Sequence, residues 1–190
     1  MSARAPCTLG FRVKSGWAAA VLIDNFPPTV LDSRVVVLAD PDVPEARQPY
    51  HAGFGTAETD AAKVTSLVRG IERFSSRTVA GLLADYRARH HVRDAGVVVS
   101  SLTDPASIAN QHMRAHASEG RLFRTVLVAA LEQCGVTVRV ILEREVYELL
   151  GKALRRSPSE AKHKVAALGE GVGRWRAEQK VAAAAAWLVS

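Results

Sequence analysis

His112, His116 and Glu119 stand at i, i+4 and i+7. On a helix this spacing puts all three on one face. Two imidazoles one turn apart are a metal-compatible pair, and a carboxylate one turn further on can serve as a third ligand or hold a ring in place. Zinc-protease helices use a related spacing but place glutamate directly after the first histidine, where this chain has Met113. The same residues also suit a solvated helix face, or a pocket wall completed by Arg121 and Arg124. The spacing by itself therefore assigns no metal and no cofactor.

Three other groups carry chemistry-bearing side chains. Arg47, Tyr50 and His51 lie in a segment, residues 40–55, that holds Pro41, Pro44 and Pro49. Long irregular connections of this kind often meet a partner. Glu143-Arg144-Glu145 follows an apolar run, where it can either sit at a ligand-binding strand end or favour a helix N-terminus. Gly169-Glu-Gly-Val-Gly173 lacks the Lys-Ser/Thr context of a phosphate loop and reads as a helix break. Trp17, Trp175 and Trp187 read as packing residues rather than stacking platforms.

The elements that must position these groups follow from periodicity. Residues 8–14 and 17–24 are apolar strands joined by a Ser15-Gly16 turn. Asn25-Phe-Pro-Pro28 is a second turn, and residues 30–39 are a third, β-branched strand. Short links make these three an antiparallel meander. Apolar residues recur at helical spacing over 59–90, with Ser75-Ser76 as a possible kink and a basic C-terminal end at Arg87, Arg89, His90, His91 and Arg93. Residues 96–100 read as a buried strand. Asp104-Pro105 reads as a helix start, with the helix running to about 133 and a possible break at Gly120. Residues 136–142 form a further strand and 145–154 a short helix. Ser157-Pro-Ser-Glu160 is a capping box, and 175–188 is the last helix. Strands separated by helices of this length pair in parallel through right-handed crossovers. The expected architecture is α/β, a five-stranded mixed sheet covered by helices, forming one domain over 1–190 with a helical C-terminal elaboration from about 157.

A 190-residue chain buries roughly 70% of its unfolded surface and needs no disulfide or metal staple. Its formal charge of +6 favours anionic partners, nucleic acid among them. Cys7 and Cys134 read as separate free thiols of a reducing compartment. The N-terminal residues show no apolar signal region, and the longest apolar run, 181–189, is half of a membrane span. A cytoplasmic location without membrane association is expected.

The element order resembles the ribonuclease H-like fold, and within it the RuvC branch of Holliday-junction resolvases. In that branch the first strand reads apolar-Gly-apolar-Asp-Pro-Gly, whereas this chain has Leu9-Gly10-Phe11-Arg12-Val13-Lys14. The branch's fourth strand ends in glutamate, whereas Val97-Val98-Val99 ends in Ser100. Its last helix carries two aspartates before an alanine-rich stretch, whereas Glu178 is the one acid ahead of Ala182 and Val181 fills the other position. Two Mg²⁺ ions clamping the attacking and leaving oxygens need clustered carboxylates. The resemblance thus implies degenerate positions at Arg12, Ser100 and Glu178, no two-metal hydrolysis, and a basic patch from Arg12, Lys14, Ser100 and Lys180. Alternatively, Arg12 or Lys180 pairs with Glu178 as a structural ion pair.

The leading expectation is a non-catalytic RuvC-like protein that binds an anionic partner, nucleic acid first, through Arg12, Lys14, Arg47, Arg121 and Lys180. The second is a protein-interaction or structural module, such as a homodimer, assembled through the alanine-rich last helix. The third is an enzyme of different chemistry that uses His112, His116 or Glu119.

Overall fold

Alternating apolar residues over Leu9, Phe11 and Val13 place one face of the first strand against helices, which leaves Thr8, Gly10 and Arg12 for the other face. The computed structural model describes residues 6–190 apart from residue 54. In it β1 (Pro6–Lys14), β2 (Trp17–Asn25) and β3 (Pro28–Val37) form the expected meander. A small hairpin follows, β4 (His51–Gly53) with β5 (Thr56–Ala57). The chain continues through α1 (Ala61–Arg87), β6 (His91–Val99), α2 (Gln111–Gln133) and β7 (Thr137–Leu142). It closes with α3 (Val146–Leu154), α4 (Pro158–Ala167) and α5 (Ala177–Leu188). The main sheet has the order β3-β2-β1-β6-β7. β1 pairs antiparallel with β2 and parallel with β6, so β1 is central and β6 carries the parallel half to β7. This is the five-stranded mixed sheet that the sequence implies.

Each sheet face has its own core. Leu9, Phe11, Leu22 and Val97 pack against Ile71 and Leu83 of α1 and Phe123 and Leu127 of α2. On the opposite face Val21, Ile23, Val98 and Ile141 meet α3, α4 and the run from Val181 to Ala186 of α5. The alanines let α5 approach the sheet to backbone distance. A Cβ on Gly10 would stand 1.8 Å from the Ala182 carbonyl oxygen, and one on Gly96 would stand 2.7 Å from that of Ala185. The Thr8 hydroxyl adds a hydrogen bond to the Ala186 carbonyl at 2.8 Å. Backbone contact of this kind excludes any side chain from the two strand positions.

Several elements differ from the sequence expectation, each for a local reason. β3 starts at Pro28, which pairs with Asn25 as the first residue of an edge strand, where a missing N–H is tolerated. It ends at Val37 rather than residue 39, and Leu38 and Ala39 turn instead onto the Gly16 carbonyl. The 40–55 segment is not wholly irregular, since it contains a 3₁₀ turn at Pro44–Arg47 and most of the small hairpin. α1 is unbroken at Ser75-Ser76, because Ser75 is buried and its hydroxyl donates to the Leu38 carbonyl at 2.7 Å. Of the basic run, His91 and Arg93 belong to β6, where they flank buried Val92 with strand periodicity. Asp104-Pro105 opens only a single 3₁₀ turn, Pro105–Ser107; α2 starts later, with the Asn110 side chain accepting from the Met113 N–H. Gly120 does not break α2. The Ser157–Glu160 capping box is present. The glycine run does separate α4 from α5, but Trp175 precedes α5 and packs across Gly169. Among the described residues no helix is long and apolar enough to cross a membrane.

Candidate functional site

The C-terminal ends of the parallel strands β1 and β6 open beside α2, as ends of parallel strands do in open α/β sheets. A cleft of about 230 Å³ lies there. Lys14 and Ser15 reach it from the end of β1, Ser100, Ser101 and Thr103 from the segment after β6, and Arg121 and Arg124 from α2. Gly120 and Ala117 keep the helix wall low between these arginines and His116. None of its lining residues is acidic. Besides the buried Arg12, three basic side chains and four hydroxyls therefore border a volume of small-anion size; Arg121 also makes an exposed ion pair with Asp104 at 3.2 Å, and the arginines have the forked donor geometry suited to phosphate or carboxylate.

Arg12 also lines this cleft but is not free to bind. It is 3% exposed, and its guanidinium donates to Glu143 at the end of β7 and to the Val13 carbonyl. The ion-pair alternative thus has the right cation and a different acid, Glu143 instead of Glu178. Lys180 and Glu178 lie in the first turn of α5, on the far face of the sheet, and neither lines the cleft. Arg47 is exposed, with its aliphatic stem over Gly16 of the β1–β2 turn, and also stands outside the cleft. The structure thus joins Lys14, Ser100 and Arg121, holds Arg12 buried against Glu143, and separates Lys180 and Arg47 from the cleft.

His112 and His116 share one face of α2 with Glu119, as their spacing requires. The third histidine of the cluster is His51 from the β4 strand. Its Nδ1 lies 2.7 Å from Oε1 of Glu119, which is fully buried. The three imidazole centroids are 4.5–5.2 Å apart. His112 and His116 bring their Nε2 atoms to 3.2 Å, and one ring nitrogen from each of the three histidines lies within 4.8 Å of the others. Among the described residues no other group of three histidines, cysteines or carboxylates has metal-ligand spacing. Burial raises the Glu119 pKa, opposed by His51 and the Tyr50 backbone N–H. Desolvation, and then the neighbouring His51 and His112, lower that of His116. Burial also raises the Tyr50 hydroxyl.

The cluster opens onto a second cleft, of about 580 Å³, bounded by Pro44, Glu45, Gln48 and the β4–β5 hairpin. His116 lines both clefts and links them. Sequence spacing alone placed His112, His116 and Glu119 on one helix face. It did not connect His51, 61 positions before His112. The available signal was a histidine in a proline-rich segment long enough to fold back over a helix.

The sequence matches no protein-family model and no curated protein. Among solved structures, the chain is similar to Thermus thermophilus RuvC in complex with a Holliday junction substrate. The TM-score is 0.57 and the identity 13%, with 96% of this chain and 90% of that one covered. It is also similar to a T. thermophilus RuvC structure, with a TM-score of 0.52 and 14% identity over 96% and 92% of the two chains. At this identity the likeness concerns the fold, which is ribonuclease H-like with a RuvC-type arrangement.

Proposed function

We propose that this chain binds a phosphate-bearing anion, most simply nucleic acid, in the basic cleft, and that it does not hydrolyse it by a two-metal mechanism. The observation that carries the reading is a phosphate-sized cleft at the parallel strand ends whose lining includes Lys14, Arg121 and Arg124 and no carboxylate. Arginine and lysine contacts to phosphate supply affinity with little sequence readout. Arg12 occupies the position where the RuvC branch places its first aspartate, and its buried guanidinium repels a divalent cation there. Ser100 brings a hydroxyl in place of the second acid. The similar T. thermophilus protein in complex with a Holliday junction makes four-way DNA the first substrate to test.

The test is fluorescence anisotropy on labelled four-way, duplex and single-stranded DNA, with Mg²⁺ present and the probes run afterwards on a gel. The reading predicts salt-sensitive binding with intact probes. Mg²⁺-dependent cleavage would overturn its non-catalytic half, and absence of binding at low salt would overturn the whole.

A further inference from the structure

We infer that His51, His112 and His116 form a binding site for one divalent transition metal of the zinc class, with Glu119 orienting the His51 ring. The site adjoins the basic cleft, which His116 also lines, and does not depend on nucleic-acid binding. His51 Nδ1 lies at hydrogen-bond distance from the buried Glu119 carboxylate, which accepts the N–H and fixes the tautomer with the lone pair on Nε2. That Nε2 is buried and has no protein partner, although the His51 side chain is only 6% exposed. A buried acceptor without a partner calls for an explanation, and a metal ion supplies one.

One nitrogen pair is already at ligand spacing. Two nitrogens bound to one tetrahedral zinc at about 2.0–2.1 Å stand about 3.3–3.4 Å apart. The Nε2 atoms of His112 and His116 are 3.2 Å apart, and a ring nitrogen of each histidine lies within 4.8 Å of the others. Without a metal, that pair accounts for one hydrogen bond and leaves His51 Nε2 unpaired. An all-imidazole set selects zinc, copper, nickel or iron over magnesium or calcium, which prefer oxygen ligands. Three protein ligands would leave a coordination position for water or an anion, and His116 lines both clefts.

The scaffold is built for this geometry. The β4–β5 hairpin carries His51 over α2, and the Glu58 N–H donates to the Tyr50 carbonyl at 2.8 Å to hold it there. His112 and His116 are set one turn apart by an uninterrupted helix.

The experiment is zinc titration of the full-length, chelator-stripped chain, read by calorimetry and metal content, with Co²⁺ absorption reporting the ligand field. The expected result is one equivalent of metal and cobalt bands of a nitrogen-ligated, four- or five-coordinate ion. His112→Ala and His116→Gln should each abolish stoichiometric binding, and Glu119→Gln should weaken it about 10–100-fold. His163→Ala, in the exposed part of α4, should leave it unchanged. His116 is half-exposed, so His116→Gln tests the site without disturbing the core, and circular dichroism checks that each variant is folded. No stoichiometric binding, or binding equally retained in folded His116→Gln, would overturn the inference.

Discussion

Gly10→Ala is the sharpest test of how α5 is seated. Gly10 has ordinary strand backbone, so from the chain's viewpoint alanine is the better residue there, by about 0.5–1 kcal/mol of unfolded-state entropy. The structure reverses that sign. The added Cβ would meet the Ala182 carbonyl oxygen at 1.8 Å, with the Ala182 carbonyl carbon and the Ala186 nitrogen both at 2.7 Å. A comfortable C···O approach is about 3.3 Å or more, so helix and strand must part by about 1.5 Å. The obstructing atoms are helix backbone and cannot rotate away. Overpacking costs about 1–3 kcal/mol, and this case belongs at or beyond the top of that range. The net loss is about 2 kcal/mol or more. For a chain of this size that lowers Tm by at least about 4 °C. Thermal and denaturant unfolding by circular dichroism measure it. Gly81→Ala is the internal control, since a Cβ there on exposed α1 meets nothing within 4 Å and should raise stability by up to about 1 kcal/mol. A Gly10→Ala protein as stable as the parent would refute the backbone contact between α5 and β1.

Further outcomes follow from single contacts. Ser75→Ala leaves the Leu38 carbonyl without its buried donor and should cost about 1–2 kcal/mol in denaturant unfolding. Glu143→Gln keeps the shape but strips the buried Arg12 guanidinium of its counter-charge; because Glu143 is 42% exposed, the loss should be about 1–2 kcal/mol rather than that of a fully buried pair. The Asp60 N–H, the Lys63 ammonium and the Thr59 N–H bind the Glu58 carboxylate and lower its pKa to about 2. A folded-state pKa below the usual value gives a contribution to stability that is present above about pH 4.5 and lost as pH falls toward 2. Carboxyl NMR titration should find Glu58 near that value, with amide protection at the start of α1 declining over the same window. Glu58→Gln should remove that decline.

The strands were legible because hydrophobic alternation and β-branching act locally. β1, β2 and β7 coincide closely with apolar runs, whereas β6 begins at His91, ahead of the run that reads as a strand, and the α5 alanines, expected at a homodimer seam, are buried against the sheet. What was not legible depended on contacts distant in sequence. Ser75 looks like a helix weak point until Leu38, 37 residues earlier, supplies its acceptor. Pro28 looks like a ladder breaker until its edge position is known. The basic run after α1 divides between helix and strand because β6 must pair with β1. The same limit governed the site. Spacing placed His112, His116 and Glu119 on one helix face, but only the return of the β4–β5 hairpin brings in His51. Lys14, Ser100 and Arg121 share a cleft because β1, β6 and α2 converge, while Lys180 lies on α5 behind the sheet. Arg12 was expected to face a ligand, and Glu143 at the end of the next parallel strand but one claims it instead.

The central claim is that the cleft of Lys14, Arg121 and Arg124 holds phosphate. It is tested most directly by comparing the salt dependence of duplex and four-way DNA binding for the parent chain and for the Lys14→Ala/Arg121→Ala/Arg124→Ala variant. Each phosphate contact contributes about 0.9 to the slope of log K against log salt on duplex. The account predicts weaker binding by the folded variant at low salt and a slope shallower by about 2–3. An unchanged slope and affinity would contradict it and remove the cleft as the phosphate site.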